Sequence, residues 1–173
     1  MEDVGGIILL SKENYNNWYK RIFEIEQTIH KYYLITDNES NNCYGEVSFH
    51  RYDKENKKAE LNIKVKKDYR NKGIGTKALD ILLKYYFTEW GGEIMEDRLW
   101  IENINGYKSL LGYGFIEIKR DKEEMMVEIR KGDWIKKRSL THASTLFALN
   151  ELIKGNEKPR VHFMRSNARR LKG

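Results

Sequence analysis

The feature that most constrains this fold is a series of three strand-like segments followed by a glycine-containing loop and an amphipathic helix. The segments Tyr32–Thr36, Tyr44–Tyr52 and Ala59–Val65 are rich in apolar and aromatic residues, and short polar connections join them. This arrangement predicts an antiparallel meander. Between Gly75 and Trp90, apolar residues recur at helical spacing, which predicts a helix with one buried face. They are Leu79, Leu82, Leu83, Tyr86 and Phe87.

The remaining pattern completes a mixed fold. Further strands are predicted at Ile7–Leu10, Arg98–Glu102, Phe115–Lys119 and Met125–Arg130, and further helices at Asn14–His30 and Asn103–Leu111. The sequence therefore predicts an α/β (α+β) domain. Its mostly antiparallel sheet has about seven strands, with helices on both faces.

The C-terminal part of the chain differs from the rest in charge. Lys and Arg outnumber Asp and Glu by 7 to 2 in residues 139–173, but only by 25 to 24 in residues 1–138. We therefore expect one domain over residues 1–138 and an extension over 139–173. The extension would comprise an amphipathic helix at 139–153 and a basic tail at 156–173. Because an isolated helix of this length is marginal in water, its apolar face predicts a partner, most economically a second subunit in a homodimer.

Composition sets limits on location and on partners. Cys43 is the single cysteine, so no intramolecular disulfide can form, and a cytoplasmic location is expected. The apolar run Val4–Leu10 is short and contains two glycines, which argues against a signal peptide or a membrane span. A nearly neutral body does not favour nucleic acid as the main partner. The four histidines show no spacing typical of metal ligands, and no metal site is expected.

The segment Tyr69–Thr76 carries the clearest chemical pattern. Gly73 and Gly75 allow the backbone to turn tightly and to approach a ligand closely. The segment precedes a predicted helix, whose first N–H groups and dipole favour an anion, and Arg70 and Lys72 add positive charge. The loop therefore predicts a pyrophosphate site. Its candidate residues are Arg70, Asn71, Lys72, Gly73, Ile74, Gly75 and Thr76.

Three other interpretations of this loop can be weighed. It could be a plain glycine turn with solvated basic residues. Gly73-x-Gly75-x-x-Ala78 also satisfies a dinucleotide fingerprint, but that fingerprint should close a first parallel strand, and here a meander precedes it. A nucleoside-triphosphate loop does not fit, because no Gly-Lys-Ser/Thr sequence occurs.

Two motifs together resemble one known family. Glu60–Gly75 is similar to the central motif of GNAT acetyltransferases, in which Arg/Gln-x-x-Gly-x-Gly/Ala follows a strand. Asn103–Phe115 resembles that family's segment of an asparagine, a short helix and Gly-Phe. The resemblance covers residues 6–134, and it implies an N-acetyltransferase that uses acetyl-CoA as cosubstrate.

The resemblance also implies how the pantetheine arm would be held. The strand Glu60–Val65 would carry a bulge and diverge from the strand Arg98–Glu102. Backbone groups of Ile63 and Val65 would bond the arm in the gap as an added strand would, and Asn103 would contact it from the other side.

Acetyl transfer to an amine also needs a proton acceptor. An amine of pKa about 10.4 is neutral in roughly one molecule per thousand near neutral pH. The first candidate for a catalytic carboxylate is Glu60, near where the family often places its base, with Glu96, Asp97 and Glu102 as rivals. Many members use a tyrosine as acid where this chain has Leu110, and an apolar residue there is common in the branch resembling ribosomal-protein N-terminal acetyltransferases.

Two classes of function remain open at this point. The first is an enzyme that acetylates a primary amine of a small molecule or of a protein N-terminus. The second is a non-catalytic module with an acetyltransferase-like fold, whose tail Lys158–Lys172 binds RNA or another polyanion. The complete glycine loop favours the enzyme.

Overall fold

The elements follow the predicted order closely. The computed structural model describes residues 11–21, 24, 28–37 and 42–139. The described residues contain four α-helices, which are α1 Lys12–Lys20, α2 Ile74–Tyr85, α3 Ile104–Tyr113 and α4, residues 131–139. A π-helical turn, Tyr86–Trp90, follows α2, and a short 3-10 turn, Lys67–Tyr69, follows β3. The strands are β1 Lys31–Thr36, β2 Cys43–Asp53, β3 Lys58–Val65, β4 Ile94–Trp100, β5 Ile116–Arg120 and β6 Glu124–Arg130.

These six strands form one sheet in the order β1-β2-β3-β4-β6-β5. Strands β1 to β3 form the predicted meander, and the pairs β4–β6 and β5–β6 are also antiparallel. Only β3 and β4 run parallel within the described sheet, because α2 crosses from the end of one to the start of the other. The mixed, mostly antiparallel sheet that the sequence predicts is confirmed; the strand expected at Ile7–Leu10 lies outside the described residues.

One face of the sheet carries the apolar core. Alternate residues of β2, β3, β4 and β6 point to this face, as the two-residue period of a strand requires, and α2 packs against them. We call this the helix face. The buried residues of α2 are Ala78, Leu79, Leu82 and Leu83, as its periodicity predicts.

The opposite face of the sheet is polar, and α1 lies against one end of it. Ser11 begins α1 by accepting a hydrogen bond from the backbone N–H of Asn14. Trp18 packs edge-on against Tyr32, with ring centroids 5.8 Å apart. The described helices therefore flank both faces. We call this second surface the open face.

Helix α4 packs on the helix face through an aromatic side chain and a charged one. Trp134 is buried against Phe87, which follows α2. Arg138 pairs with Asp80 of α2, whose carboxylate also accepts a hydrogen bond from the Tyr113 hydroxyl at 2.9 Å. These contacts connect α2, α3 and α4. The predicted helix at 139–153 and the basic tail lie outside the described residues, apart from Ser139.

One predicted strand was placed too late in the sequence. The sequence pattern placed a strand at Arg98–Glu102, whereas β4 is Ile94–Trp100. Met95 and Leu99 alternate into the core, but Asp97 occupies the core-facing position between them and breaks the apolar alternation. The strand was misplaced because a carboxyl group stands where a buried strand normally has an apolar side chain.

The bulge expected in β3 is also absent from that strand. Its pairing with β2 runs without a shift from Glu60 to Val65. The register shift lies instead between His50 and Asp53 of β2, where Arg51 has a φ of 55°. A single residue in the left-handed region therefore places the irregularity on the neighbouring strand.

Candidate active site

The parallel strands β3 and β4 separate halfway along their length. Both strands lie entirely within the described residues, and they pair only from Lys58 to Glu60 of β3 and from Ile94 to Glu96 of β4. Beyond those pairs β3 continues against β2 and β4 against β6. A cleft therefore opens after Glu60 and Glu96, in the middle of a sheet.

The backbone of β3 faces this cleft with unpaired groups. The N–H of Lys66 donates to the carbonyl of Tyr44 at 2.8 Å. Because hydrogen-bonded positions alternate along an antiparallel pair, the backbone groups of Lys64 and Asn62 also bond toward β2. The alternate residues, Ile63 and Val65, then direct their N–H and C=O groups toward the cleft. The carbonyl of Val65 accepts a hydrogen bond from the side chain of Arg70 at 2.9 Å, and the other three groups are available to an extended ligand lying beside β3.

The glycine loop closes the far end of the cleft. Gly73 precedes α2 with a φ of 74°, and Asn71 has a φ of 59°, so two residues of the loop are left-handed. A side chain at Gly73 would project into open space, with nothing within 4 Å. Gly75 lies on the core side instead, where an added Cβ would be 3.4 Å from a methyl group of Val65. The loop thus presents a bare backbone to the solvent side.

The start of α2 has the properties of an anion site. The first intrahelical bond is from the N–H of Lys77 to the carbonyl of Gly73, and no side chain caps the helix. The N–H groups of Ile74, Gly75 and Thr76 therefore point out of the helix end without helical partners. Together with the helix dipole, they favour a phosphate group.

The two basic residues of the loop have defined positions. The Nε of Arg70 donates to the carbonyl of Val65 at 2.9 Å, which joins the loop to the open end of β3. The ammonium group of Lys72 lies 5.5 Å from the ring centre of Tyr69, which stacks on Tyr44. Arg70 therefore supports the loop as well as adding charge, a role that the sequence alone did not indicate.

On the other wall of the cleft, Asn103 begins α3. Its Oδ1 accepts a hydrogen bond from the N–H of Gly106 at 3.1 Å, and a Cβ at Gly106 would come within 2.7 Å of that side chain. Leu110 is buried in the core. The nearby hydroxyl groups of Tyr107 and Tyr113 donate to Glu117 and Asp80. The position of the usual acid therefore carries an apolar core residue.

Three carboxylates lie in register across the open face. Glu60 of β3 is opposite Glu96 of β4, and Glu96 is opposite Glu128 of β6. We call these three residues the carboxylate row. Like charges directly opposite one another on neighbouring strands are destabilising, so the arrangement has a cost. Glu128 was not identified from the sequence, because nothing in the pattern of one strand reveals its register with another.

Each member of the row is paired with a cation that is more exposed than the carboxylate. Arg51 lies 2.9 Å from Glu60, Lys58 lies 3.2 Å from Glu96, and Arg130 lies 2.7 Å from Glu128. The carboxylate side chains are 26%, 12% and 7% exposed, whereas those of their partners are 70%, 40% and 57% exposed. The negative charges are therefore fixed in the sheet, and their partners are held at the solvent boundary.

Asp97 is the next residue of β4 after the last pair with β3. It shares the helix face with Met95 and Leu99. Burial, and secondarily the charge of Glu60, raise the pKa of Asp97 to about 7, although the N–H of Arg98 donates to its carboxylate. The other two rivals differ from it: Glu96 belongs to the carboxylate row, and Glu102 is exposed in the turn before α3.

These features define the class of protein. A sheet that separates between two parallel strands, with backbone groups along one wall and an uncapped helix at the end, fits a pantetheine arm with its pyrophosphate. The fit rests on the bare space at Gly73 and on the outward N–H groups of α2. This is the arrangement of a coenzyme A-dependent acyltransferase.

Comparison with known proteins identifies the family. The family model described as acetyltransferase (GNAT) domain matches residues 5–129, and the chain belongs to this family. The protein is therefore an N-acetyltransferase with acetyl-CoA as its cosubstrate, as the glycine loop and the Asn103–Phe115 segment predict. No match was found among curated proteins.

Solved structures of spermidine N-acetyltransferase from Vibrio cholerae share the fold. The complex with CoA and spermine is 16% identical, with a TM-score of 0.67, over 75% of this chain and 81% of that chain. A dodecameric form in an intermediate state is 17% identical, with a TM-score of 0.65, over 73% of this chain and 78% of that one. At this identity the likeness concerns the fold alone.

None of the helices in the described part of the chain has the length and apolar character needed to cross a membrane. Nor do its His, Cys, Asp and Glu side chains form a group of three or more that could hold a metal ion.

Proposed function

We propose that this enzyme transfers the acetyl group of acetyl-CoA to a primary amine of a small molecule that carries more than one positive charge. The observation that carries this proposal is the carboxylate row of Glu60, Glu96 and Glu128, which begins where the cleft opens. Neighbouring strands lie about 4.8 Å apart, so the row extends roughly 10 Å across the open face. An extended chain with several ammonium groups can contact more than one carboxylate at once.

The cations that already pair with the carboxylate row do not prevent a ligand with several ammonium groups from binding there. Arg51, Lys58 and Arg130 are at least 40% exposed, so each can turn into solvent when a ligand cation takes its place. When several ammonium groups belong to one ligand, translational freedom is lost once for the whole ligand and not once for each group. The attractions of several carboxylates therefore add up on a single molecule.

The cosubstrate is proposed to lie along β3. Backbone groups of Ile63 and Val65 bond the pantetheine arm, and the loop from Arg70 to Thr76 holds the pyrophosphate. Asn103 faces the arm from the opposite wall, where its amide nitrogen can donate while Oδ1 caps α3. This arrangement brings the thioester to the point where the strands separate, next to Glu60, which contacts the acceptor amine.

A protein N-terminus is the alternative acceptor. Leu110 supports it, since an apolar residue at that position fits the branch that resembles ribosomal-protein N-terminal acetyltransferases. The polyamine acceptor is favoured because a free N-terminus carries one charge, and the row offers three. A cytoplasmic location and a homodimer remain proposals that rest on Cys43 and on the apolar pattern of residues 139–153.

An acceptor screen with thiol release as readout tests the proposal. Spermidine and spermine should be acetylated with a kcat/KM at least about tenfold higher than a monoamine of similar length or peptides with free N-termini. Faster reaction of the peptides would reject the polyamine acceptor. If no amine reacts while acetyl-CoA binds, the non-catalytic alternative is correct.

A variant of the row makes the test specific. Glu128→Gln keeps the shape of the side chain and removes one charge, so kcat/KM for spermine should fall by about tenfold, which is about 1.4 kcal/mol. The value for a monoamine should change much less. Glu89→Gln, an exposed carboxylate beyond α2, is the matched control and should alter neither value.

A further inference from the structure

Asp97 differs from the carboxylates of the row in its partners. Glu60, Glu96 and Glu128 each pair with a cation, whereas none of the ion pairs among the described side chains includes Asp97. Within the described residues, its carboxylate accepts one hydrogen bond, from the backbone N–H of the next residue, Arg98, at 2.8 Å. A buried carboxylate without a cation is costly, and such groups concentrate at sites where a proton must be held or moved.

The position of Asp97 is also unusual. Register places it one residue past the last pair of β3 and β4, so it lies where the two strands begin to separate. On the helix face its cross-strand neighbour on β6 is Val127, and the next residue of β3 is Leu61, both buried and apolar. Asp97 itself keeps partial exposure. It is therefore a largely buried carboxylate that keeps limited exposure at the closed corner of the cleft.

We propose that Asp97 is the proton acceptor of the reaction, reached from the open face between the diverging strands, and that Glu60, on the adjoining strand, is a positioning residue that holds the ammonium group. This inference rests on the proposed function, since it assigns a residue to acetyl transfer to an amine. Glu60 is less suited to accept the proton because its carboxylate bonds both to Arg51 and, at 3.4 Å, to the Nε2 of His50.

The proton balance of the reaction needs such a group. When bound, acetyl-CoA supplies a thioester carbon to which the amine nitrogen bonds, while the carbon–sulfur bond breaks and its electron pair stays on sulfur. An ammonium group becomes an amide, so its nitrogen loses two protons. Asp97 accepts the first, which makes the nitrogen nucleophilic, and passes it to solvent. The second proton ends on the sulfur.

The surroundings of Asp97 suit this role. Its pKa of about 7 lies near physiological pH, where a general base is most effective. Desolvation by burial is the main cause of the raised pKa, and Glu60 is the titratable side chain whose charge adds to it. No cation among the described residues opposes that effect. Removing the charge of Glu60 should therefore lower the pKa of Asp97.

The first test is the pH profile of kcat/KM with the best amine of the acceptor screen. The native enzyme should gain activity as the pH rises through about 7, well below the pKa of the free amine, about 10.4. In Asp97→Asn the rise should disappear, and kcat/KM near pH 8 should fall by about a hundredfold. Asp97→Glu should restore part of the lost kcat/KM. Glu60→Gln should shift the rise to lower pH. Asp133→Asn, an exposed carboxylate of α4, is the control.

The second test needs neither ligand nor activity. The pKa of Asp97 is about 7 in the folded protein, above the ordinary value of 3.8 expected in the unfolded chain. The folded state therefore holds this proton more tightly, and the contribution of Asp97 to the free energy of unfolding falls as the pH rises from about 4 to about 7. The difference in melting temperature between the native protein and Asp97→Asn should grow across that range, in favour of the variant. An equal pH dependence of the two proteins would overturn the proposal.

The kinetic outcomes also distinguish the assignment of Asp97 as proton acceptor from the proposed function, the acetylation of an amine. If Glu60→Gln, and not Asp97→Asn, abolishes the rise in activity near pH 7, then Glu60 is the proton acceptor and the proposal is wrong. If the native enzyme acetylates no amine, the proposed function fails by itself. The pH dependence of unfolding then shows separately whether the carboxyl group of Asp97 has a raised pKa in the folded protein.

Discussion

The two halves of the β3–β4 pair are built in opposite ways. In the closed half, Lys58–Glu60 pairs with β4, and the hydroxyl of Tyr86 lies 3.0 Å from the carbonyl of Lys57 and 2.9 Å from that of Ile94. In the open half, β3 turns unpaired backbone groups toward a cleft that ends at the glycine loop. The closed half therefore satisfies its own polar groups, whereas the open half leaves most of its backbone groups to a ligand, apart from the carbonyl of Val65, which Arg70 occupies.

The difference indicates where stability and binding reside. Tyr86 is fully buried, and its ring packs on Phe49 with centroids 5.0 Å apart. Gly73, in the open half, has no side chain near it. Substitutions in the closed half should therefore change the free energy of unfolding, whereas those in the open half should change acetyl-CoA affinity. Each prediction below tests this separation, beginning with the largest effect.

Gly92→Ala should be the most damaging substitution in the closed half. An added Cβ would overlap the ring of Tyr86, which has no room to move in the core. Overpacking of this kind costs about 1–3 kcal/mol and occasionally more, and we expect about 3 kcal/mol in urea unfolding. Gly112→Ala is the matched control, because nothing lies within 4 Å of its Cβ position in α3. It should be neutral or slightly stabilising. Equal effects of the two variants would contradict the tight packing around Tyr86.

Gly73→Val should weaken acetyl-CoA binding by at least about a hundredfold, or about 2.8 kcal/mol. The side chain would occupy the open space in front of α2, and a φ of 74° is unfavourable for a β-branched residue. Isothermal titration measures the affinity. Gly91→Val is the control for backbone strain, because Gly91 has a φ of 90° and equally open surroundings. It should lose stability but keep affinity; a similar loss of affinity in both variants would show that strain, not the loop, is responsible.

Tyr86→Phe should cost about 2 kcal/mol of unfolding free energy, since two backbone carbonyls lose their shared donor in a buried site. Acetyl-CoA affinity should stay within a few-fold of native. Tyr52→Phe is the control, because the described hydrogen bonds include none from its hydroxyl. A large loss of affinity in folded Tyr86→Phe would show that the two halves are coupled.

Truncation after Arg138 should have the smallest effect on the cleft. It keeps the pairing of Arg138 with Asp80 and removes the basic extension, so acetyl-CoA affinity should stay within about tenfold, or about 1.4 kcal/mol. Stability or oligomeric state should change instead, which sedimentation can detect. Loss of binding in a truncated protein that circular dichroism shows to be folded would place residues 139–173 in the open half.

Much of the fold could be predicted because its signals are local. The periodicity of Leu79, Leu82 and Leu83 gave α2, the polar connections gave the meander, and Gly73 and Gly75 marked the loop that ends the cleft. Each signal depends on residues within a few positions of one another, where backbone preferences and side-chain period act directly. The class of enzyme followed from two such local motifs in the right order.

The tertiary structure decided which residues from distant parts of the chain meet. Glu60, Glu96 and Glu128 are far apart in sequence, and only the pairing of three strands puts them in one row. In the sequence Asp97 was one of three rivals to Glu60 and nothing distinguished it from Glu96 and Glu102, because its burial depends on the register of β4 with β3 and β6. Strand register is set by the packing of the whole sheet rather than by any one segment. The sequence therefore determined the elements and the cosubstrate loop, and the fold determined the electrostatics of the acceptor side.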